Sequence, residues 1–167
     1  EELAKGNIPI IASFDKDTYQ AQGCYIYYFK DKNAKAYHIP ELGNLTFKAP
    51  GTVKGDGLKF LCYQILVGDF TDGFCSYDCS TKRFGPKTAY NLLKDLDSEK
   101  ECLEMVLKVF KERYPEPFTY TAWDESIVES SWKHQLEMYF ACCWMKRSRD
   151  DPSSPWLLFD KYNVEYE

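Results

Sequence analysis

Four aspartates stand in two pairs, and each pair lies where an apolar segment of the chain ends. Asp15 and Asp17 follow the run IPIIAS, and Asp69 and Asp72 follow an apolar segment that ends at Gly68. Carboxylate oxygens are ligands that Mg²⁺ or Mn²⁺ prefers, and such ions activate water and neutralise charge on phosphates. Aspartate, glycine and threonine are also ordinary turn residues, so the stretch GDFTDGF by itself favours a solvated turn.

A second candidate site follows directly in the segment TKRFGPKTAYNLL. Gly85 precedes a predicted helix whose first turn holds proline, lysine and threonine, and free N–H groups at such a helix start bind phosphate. Lys82, Arg83 and Lys87 add positive charge at the same end, and Thr88 belongs to the first turn. The alternative is a solvated helix start whose lysines bind no ligand.

The elements that must position these residues begin with strands. The run IPIIAS (8–13) is continuously apolar, which is typical of a strand buried in a parallel sheet. Ligands of α/β folds gather beyond the carboxyl ends of such strands, where Asp15 and Asp17 would lie. A second strand, CYIYYF (24–29), is aromatic, which favours sheet packing over a surface for stacking bases. Short extended pieces are expected over residues 36–54.

Helices are predicted in the rest of the chain. The first is amphipathic and ends at glycine, the second has proline in its first turn, and the third begins with a capping box formed by Ser98 and Glu101. A long helix follows, and it ends in the basic cluster KRSR, which is either a solvated helix end or a DNA contact. The expected ranges are 56–68, 85–93, 98–114 and about Asp124 to Lys146.

Length and composition bound the class of protein. The chain has 167 residues, 44% apolar and 17% aromatic, which is enough for one folded domain with a real core. No run of about 18 uncharged apolar residues occurs and no secretion signal is recognisable, so we expect a cytoplasmic protein without a membrane partner. The net charge of −5 gives no overall signature of nucleic-acid binding, although basic residues cluster locally.

Cysteine and histidine give little support for a zinc site. The chain has seven cysteines and no CxxC pair, and its only histidines are His38 and His134. Several cysteines lie on predicted apolar faces, where free thiols act as small hydrophobic side chains. Reduced thiols are expected in a cytoplasmic protein, and a bond between Cys75 and Cys79 stays an alternative.

The order of these motifs resembles that of a known family. The segments KFLCYQILVGDFTDGF and FGPKTAYNLL resemble the 5′→3′ exonuclease and flap endonuclease family, which carries G-D-x-x-D-[NG] and then a G-x-K-[ST]-A-like helix. The segment IIASFDKD resembles the upstream strand of that family, which ends in S-x-D-x-D. The similarity covers roughly residues 1–114, and it is nearest to the exonuclease of short-tailed bacteriophages, where glycine follows the last aspartate as Gly73 does here.

The resemblance implies an α/β fold in two parts. Residues 1–54 would form part of a PIN-like 5′-nuclease core with parallel strands. Residues 55–167 would form a mostly helical DNA-binding region that contains a helix–turns–helix element. Such proteins hydrolyse DNA phosphodiesters near a free 5′ end with two divalent metal ions, and they work in the cytoplasm of a bacterium or a phage-infected host.

The resemblance also implies roles for individual residues. One of the two Mg²⁺ or Mn²⁺ ions would be held by catalytic carboxylates at Asp15, Asp17, Asp69 and Asp72. A K⁺ ion is often held in the DNA-binding turn of this family. Contacts to the phosphate backbone of duplex or flap DNA would come from Lys82, Arg83, Gly85, Lys87 and Thr88.

Two departures from the family pattern limit the expected activity. The turn between Asp72 and Gly85 is longer than the compact G-V-x-G-I-type turn of the family. The remaining acidic ligands of the family precede the strand placed at residues 8–13, so a complete two-metal site is not expected in this chain. We therefore expect an expressed fragment, a proteolysed enzyme or a split subunit whose missing N-terminal nuclease half completes the site. The rival is a non-catalytic DNA-binding or partner-binding module on the same scaffold.

Overall fold

The fold is known from a computed structural model that describes residues 2–48, 51–69, 74–75 and 84–167. Short 3₁₀ segments lie at Leu3–Lys5 and Lys16–Gln20. The helices are α1 (Gly57–Val67), α2 (Pro86–Leu93), α3 (Glu99–Arg113), α4 (Trp132–Cys143) and α5 (Pro155–Lys161). The strands are β1 (Ile10–Ala12), β2 (Tyr25–Tyr27), β3 (Tyr37–His38), β4 (Leu45–Lys48), β5 (Thr52–Gly55), β6 (Gly68–Asp69), β7 (Phe74–Cys75), β8 (Phe118–Thr121) and β9 (Ile127–Ser130).

Helix α1 lies at the centre of the hydrophobic core. Helices α2, α3 and α4 pack around it, and every residue of α1 except Tyr63 is buried. The predicted helix is confirmed, but its predicted amphipathic character is wrong, because a helix enclosed by three others is covered on all sides. The buried set includes the polar residues Lys59 and Gln64. Lys59 reaches the carbonyl oxygen of Lys94 with its Nζ at 3.4 Å.

The starts of α2 and α3 agree with the local signals in the sequence. Helix α2 has Pro86 at its first position. At the start of α3, Ser98 Oγ accepts a hydrogen bond from the N–H of Glu101 at 3.2 Å, and Glu101 Oε2 accepts one from the N–H of Ser98 at 3.1 Å. This capping box satisfies N–H groups that a helix start leaves unpaired, so the predicted box is confirmed.

Strands β1 and β2 pair in parallel, and β3 joins the far side of β2 antiparallel. Parallel strands were expected at this place. The predicted burial of the first strand is wrong, since Ile8 is 71% exposed and Ile10 is 62% exposed. The physical reason is that no described element packs over these side chains: β1 is the edge strand of a small three-stranded sheet, and Ile10 in it and Ile8 just before it are left uncovered by the described residues.

A β-hairpin replaces the first part of the predicted long helix. Strands β8 and β9 pair antiparallel, and α4 begins only after Ser131, whose Oγ accepts from the N–H of His134. Asp124 closes the turn, because its Oδ1 accepts from the N–H of Ser126 at 3.1 Å and from its hydroxyl at 2.6 Å. The prediction of one helix from Asp124 to Lys146 is therefore wrong over its first third, where β-branched residues favour a strand.

The remaining sheets are two-stranded. Strands β4 and β5 form an antiparallel pair against α2, where the rings of Phe47 and Tyr90 lie 5.6 Å apart. Strands β6 and β7 pair antiparallel after α1. The division into residues 1–54 and 55–167 stays a prediction. Within the described ranges, none of the helices has the length and apolar content needed to span a bilayer.

Candidate acidic site and helix start

Asp15 caps the short 3₁₀ helix that follows β1. Its Oδ1 accepts a hydrogen bond from the N–H of Asp17 at 3.0 Å, and its carbonyl oxygen accepts one from Thr18 Oγ1 at 2.6 Å. Its own N–H donates to Ser13 Oγ at 3.0 Å. These bonds hold the loop in place while the Asp15 carboxylate stays exposed to solvent.

Asp17 is turned toward α1 and is partly buried. Gln64 Nε2 donates to Asp17 Oδ1 at 2.5 Å. Burial raises the pKa of Asp17 above its ordinary value, and the negative charges of Asp15 and Asp69 raise it further. The hydrogen bond from Gln64 and the charge of Lys16 act in the opposite direction. Asp15, Asp17 and Asp69 are therefore close enough to influence one another.

Asp69 belongs to the same cluster, although it comes from a distant part of the sequence. It lies in β6, directly after α1, and its side chain is 11% exposed. The ammonium group of Lys16 forms an ion pair with Asp69 Oδ2, although the two residues are 53 positions apart in sequence. Lys16 thus neutralises one carboxylate of the site, a role that sequence reasoning missed even though Lys16 separates the two predicted ligands.

Two buried glutamines support the acidic site, and the sequence interpretation assigned neither of them a role. Gln64 is 6% exposed and Gln20 is 0% exposed. Gln20 Nε2 lies 3.3 Å from Gln64 Oε1, so the two amides are hydrogen bonded. A lone glutamine inside the apolar run CYQIL is the signal that could have identified Gln64, because a buried amide needs hydrogen-bond partners.

The donor set fits a divalent cation only in part. Asp15, Asp17 and Asp69 offer hard oxygens, and a cation would relieve the repulsion between them. Among the described residues, however, no group of three or more His, Cys, Asp or Glu side chains is arranged to hold a metal ion. The fourth predicted ligand, Asp72, lies outside the described residues. A metal site at this place would therefore require at least one further ligand.

The start of α2 presents fewer free N–H groups than the sequence suggests. Gly85 is the N-cap, with φ −122° and ψ −179°, and it makes no side-chain cap. Its carbonyl oxygen accepts from the N–H of Thr88 at 2.9 Å and from that of Ala89 at 3.1 Å. Pro86 has no N–H, so the N–H of Lys87 is the donor left in the first turn of the described helix. Lys87 and Thr88 are exposed.

Two predicted DNA contacts, Lys82 and Arg83, lie outside the described residues. A positive charge that the prediction missed lies next to the same helix start. The guanidinium carbon of Arg113 lies 4.8 Å from the ring of Phe84, the residue before Gly85. Both terminal nitrogens of Arg113 are buried, and neither has a hydrogen-bond partner among the described residues. In sequence, a basic residue in the last turn of a helix is typical of a helix-dipole partner, so the sequence carries no signal that links Arg113 to the start of α2.

Comparison of the chain with protein-family models, with curated proteins and with solved structures gives no match in any of the three. The resemblance to 5′ nucleases therefore depends on the motifs themselves. The geometry of the acidic site and of the α2 start is the independent information about function.

Proposed function

We propose that this chain is the DNA-binding part of a metal-dependent 5′→3′ DNA exonuclease or flap endonuclease, and that it is an incomplete nuclease by itself. The observation that carries the proposal is the meeting of the two aspartate motifs. The 3₁₀ helix after β1 and the strand after α1 bring Asp17 and Asp69 to one place, where Lys16 and Gln64 bind them. Gln64 of the helix before Asp69 binds Asp17, and Lys16 beside Asp17 binds Asp69, so each motif supplies a partner of the other.

The metal is Mg²⁺ or Mn²⁺ in this proposal, and when bound it activates water and neutralises charge on the phosphate. Asp15, Asp17 and Asp69, together with Asp72, would hold one ion. Gln64 keeps the Asp17 carboxylate in a defined orientation, and Lys16 balances the charge of Asp69. Ligands for a second ion would come from another polypeptide segment.

Exposed apolar side chains on the N-terminal sheet support a further segment as partner. Parallel sheets in proteins are normally covered on both faces. Among the described residues β1 is an edge strand, and the side chains of Ile8 and Ile10 are mostly exposed. A nuclease half that packs over these two side chains would bury them. A cytoplasmic location in a bacterium or phage-infected cell is part of the proposal.

DNA binding is assigned to the start of α2. Lys87 and Thr88 are exposed at a helix start, and the N–H of Lys87 has no backbone acceptor within the described residues, so phosphate would bind favourably there. The proposed contacts are Gly85, Lys87 and Thr88, with Lys82 and Arg83 from the preceding segment. A K⁺ ion in that turn belongs to the same proposal.

A non-catalytic DNA-binding or partner-binding module is the second candidate. The observation that favours it is the ion pair between Lys16 and Asp69, because an ammonium group already supplies positive charge where a metal ion would bind. In that case the aspartates would stabilise the junction between β1, α1 and α4, and hydrolysis would be absent even when a further polypeptide segment supplies ligands for a second ion.

A fluorescence anisotropy titration with a 5′-flap duplex tests DNA binding. We expect affinity to fall steeply with salt, because phosphate contacts release counterions. Lys87→Ala should reduce affinity and lower the slope of log K against log salt by about 1. Lys108→Ala, at an exposed position on α3, is the matched control and should change neither.

Mn²⁺ calorimetry separates the two candidates, because the proposed nuclease is incomplete and need not cleave DNA by itself. The nuclease proposal predicts Mn²⁺ binding that Asp69→Asn removes, whereas the non-catalytic module predicts no such binding. DNA binding that changes with neither salt nor Lys87→Ala would contradict phosphate contacts at the start of α2 in either candidate.

A further inference from the structure

Gln20 joins the acidic site to the chain that follows α4. Its Nε2 donates to the carbonyl oxygen of Cys143 at 2.7 Å, and its Oε1 accepts from the N–H of Met145 at 3.1 Å. Both partners are main-chain groups, and they engage both ends of the Gln20 amide. The orientation of this fully buried side chain is therefore set by the backbone at the end of α4.

Arg147 adds a third bond at the same place. Its Nη2 donates to the backbone oxygen of Gln20 at 2.6 Å, across 127 positions of sequence. Its guanidinium carbon lies 4.5 Å from the ring of Trp144, and its burial lowers the pKa of Arg147. The charge of Arg147 is thus engaged inside the molecule. This corrects the sequence interpretation that offered the KRSR cluster as a DNA contact or a solvated helix end, as far as Arg147 is concerned.

Gln64 carries the connection from Gln20 to the carboxylate. Gln64 Oε1 accepts from Gln20 Nε2 at 3.3 Å, and Gln64 Nε2 donates to Asp17 Oδ1 at 2.5 Å. An amide accepts through its oxygen and donates through its nitrogen. Acceptance from Gln20 therefore turns the NH₂ group of Gln64 toward Asp17. A continuous chain of hydrogen bonds runs from the end of α4 to the acidic site.

We propose that Gln20, Gln64 and Arg147 are positioning residues that hold the Asp17 carboxylate in one orientation and make it depend on the end of α4. The positioning of Asp17 is inferred from these hydrogen bonds alone. Only the expected effect on metal affinity rests on the proposed function. Partners that orient a metal-binding side chain typically change metal affinity about 10- to 100-fold when they are replaced. The segment after α4 would then set the geometry of the site without touching the ion.

Side-chain amide NMR of the metal-free protein tests the connection directly. One Nε2 proton of Gln64 should resonate downfield, and Asp17→Ala should return it to its ordinary position. Gln20→Leu and Arg147→Lys should move it part of the way. Gln135→Leu is the matched control, because this buried amide donates to Ser130 Oγ at 3.0 Å instead. If the Gln64 resonance has the same chemical shift in Gln20→Leu as in the wild type, the proposal is wrong.

Mn²⁺ calorimetry on the same variants then measures the consequence. Gln20→Leu should weaken Mn²⁺ binding about 10-fold or more, and Gln135→Leu should leave it unchanged. If Gln20→Leu does not fold by circular dichroism, the milder Arg147→Lys decides both measurements. A wild-type chain that binds no Mn²⁺ would contradict the proposed function, and the NMR result alone would then decide the positioning role. A moved amide resonance with unchanged Mn²⁺ affinity would reduce the three residues to a structural role and overturn the proposal.

Discussion

The acidic site and the start of α2 differ in how the fold holds them. Asp17 and Asp69 are bound by Gln64 and Lys16, which other segments of the chain bring to them. The start of α2 is held by local backbone hydrogen bonds. Its N-cap, Gly85, makes no side-chain hydrogen bond, and the side chains of Lys87 and Thr88 after it are exposed. A carboxylate site therefore needs long-range packing to be positioned, whereas a helix start presents its N–H groups by local geometry.

The largest expected effect follows from removing the buried amide of the acidic site. Gln64→Leu leaves the partly buried Asp17 carboxylate without its donor, and we expect a loss of about 1–3 kcal/mol in the free energy of unfolding. Gln135→Leu removes a bond to a neutral hydroxyl and should cost less. Urea denaturation compares the two variants. An equal or smaller loss in Gln64→Leu would mean that the site is not held as described.

The pH dependence of the free energy of unfolding tests the partly buried environment of Asp17. Because burial raises its pKa in the folded state, the folded state holds the proton more tightly than the unfolded chain. The contribution of Asp17 to stability is therefore fully present at low pH, and it is lost as pH rises through the folded pKa. Asp17→Asn removes this titration. At constant ionic strength, the free energy of unfolding of the variant relative to that of the wild type should therefore rise from about pH 3 to about pH 7.

Asp124 provides the opposite case for the same experiment. Hydrogen bonds from Ser126 lower the pKa of this hairpin carboxylate, so its contribution is present at neutral pH and is lost as pH falls. Asp124→Asn should therefore lose stability relative to wild type as pH rises. Thermal unfolding of both variants across pH gives the two signs, and the same sign for both would contradict the assigned environments.

Lys16→Met removes the ammonium partner of Asp69. The side chain of Lys16 is 58% exposed, so solvent screens the pair and the loss should be at most about 1 kcal/mol. Lys100→Met is the control, because its pair with Glu104 on α3 is half exposed on both sides and should contribute less. Denaturant unfolding in low and high salt measures both, and a larger loss in the control would reverse the comparison.

The smallest effect is expected at the start of α2. Gly85→Ser fits the extended backbone of this N-cap and supplies the missing side-chain acceptor, so stability should rise by a few tenths of a kcal/mol. The hydroxyl competes with phosphate for the same N–H groups, so DNA affinity should fall. Denaturation and anisotropy measure the two changes. A tighter complex with DNA would exclude these N–H groups as phosphate donors.

Sequence predicted those parts of the fold whose cause is local. The end of α1 follows from Gly68, the start of α2 from a proline in its first turn, and the start of α3 from the capping box of Ser98 and Glu101. The β8–β9 hairpin was missed because Ile127 and Val128 also fit an apolar helical face, and only the pairing of two strands excludes the helix.

The candidate site could be predicted only as a list of residues. The two aspartate motifs identify Asp15, Asp17 and Asp69, but the partners Lys16 and Gln64 follow from contacts between distant segments. The exposure of Ile8 could not be predicted either, because it depends on whether another element packs over this side chain.

A Mn²⁺ titration of the wild-type chain and of the double variant Asp17→Asn, Asp69→Asn tests the central claim most directly. The account predicts saturable heat in the wild-type chain that Mg²⁺ competes away, no such heat in the double variant, and an unchanged titration in the exposed control Asp95→Asn. The same Mn²⁺ affinity in the double variant as in the wild type would contradict a metal site at these aspartates.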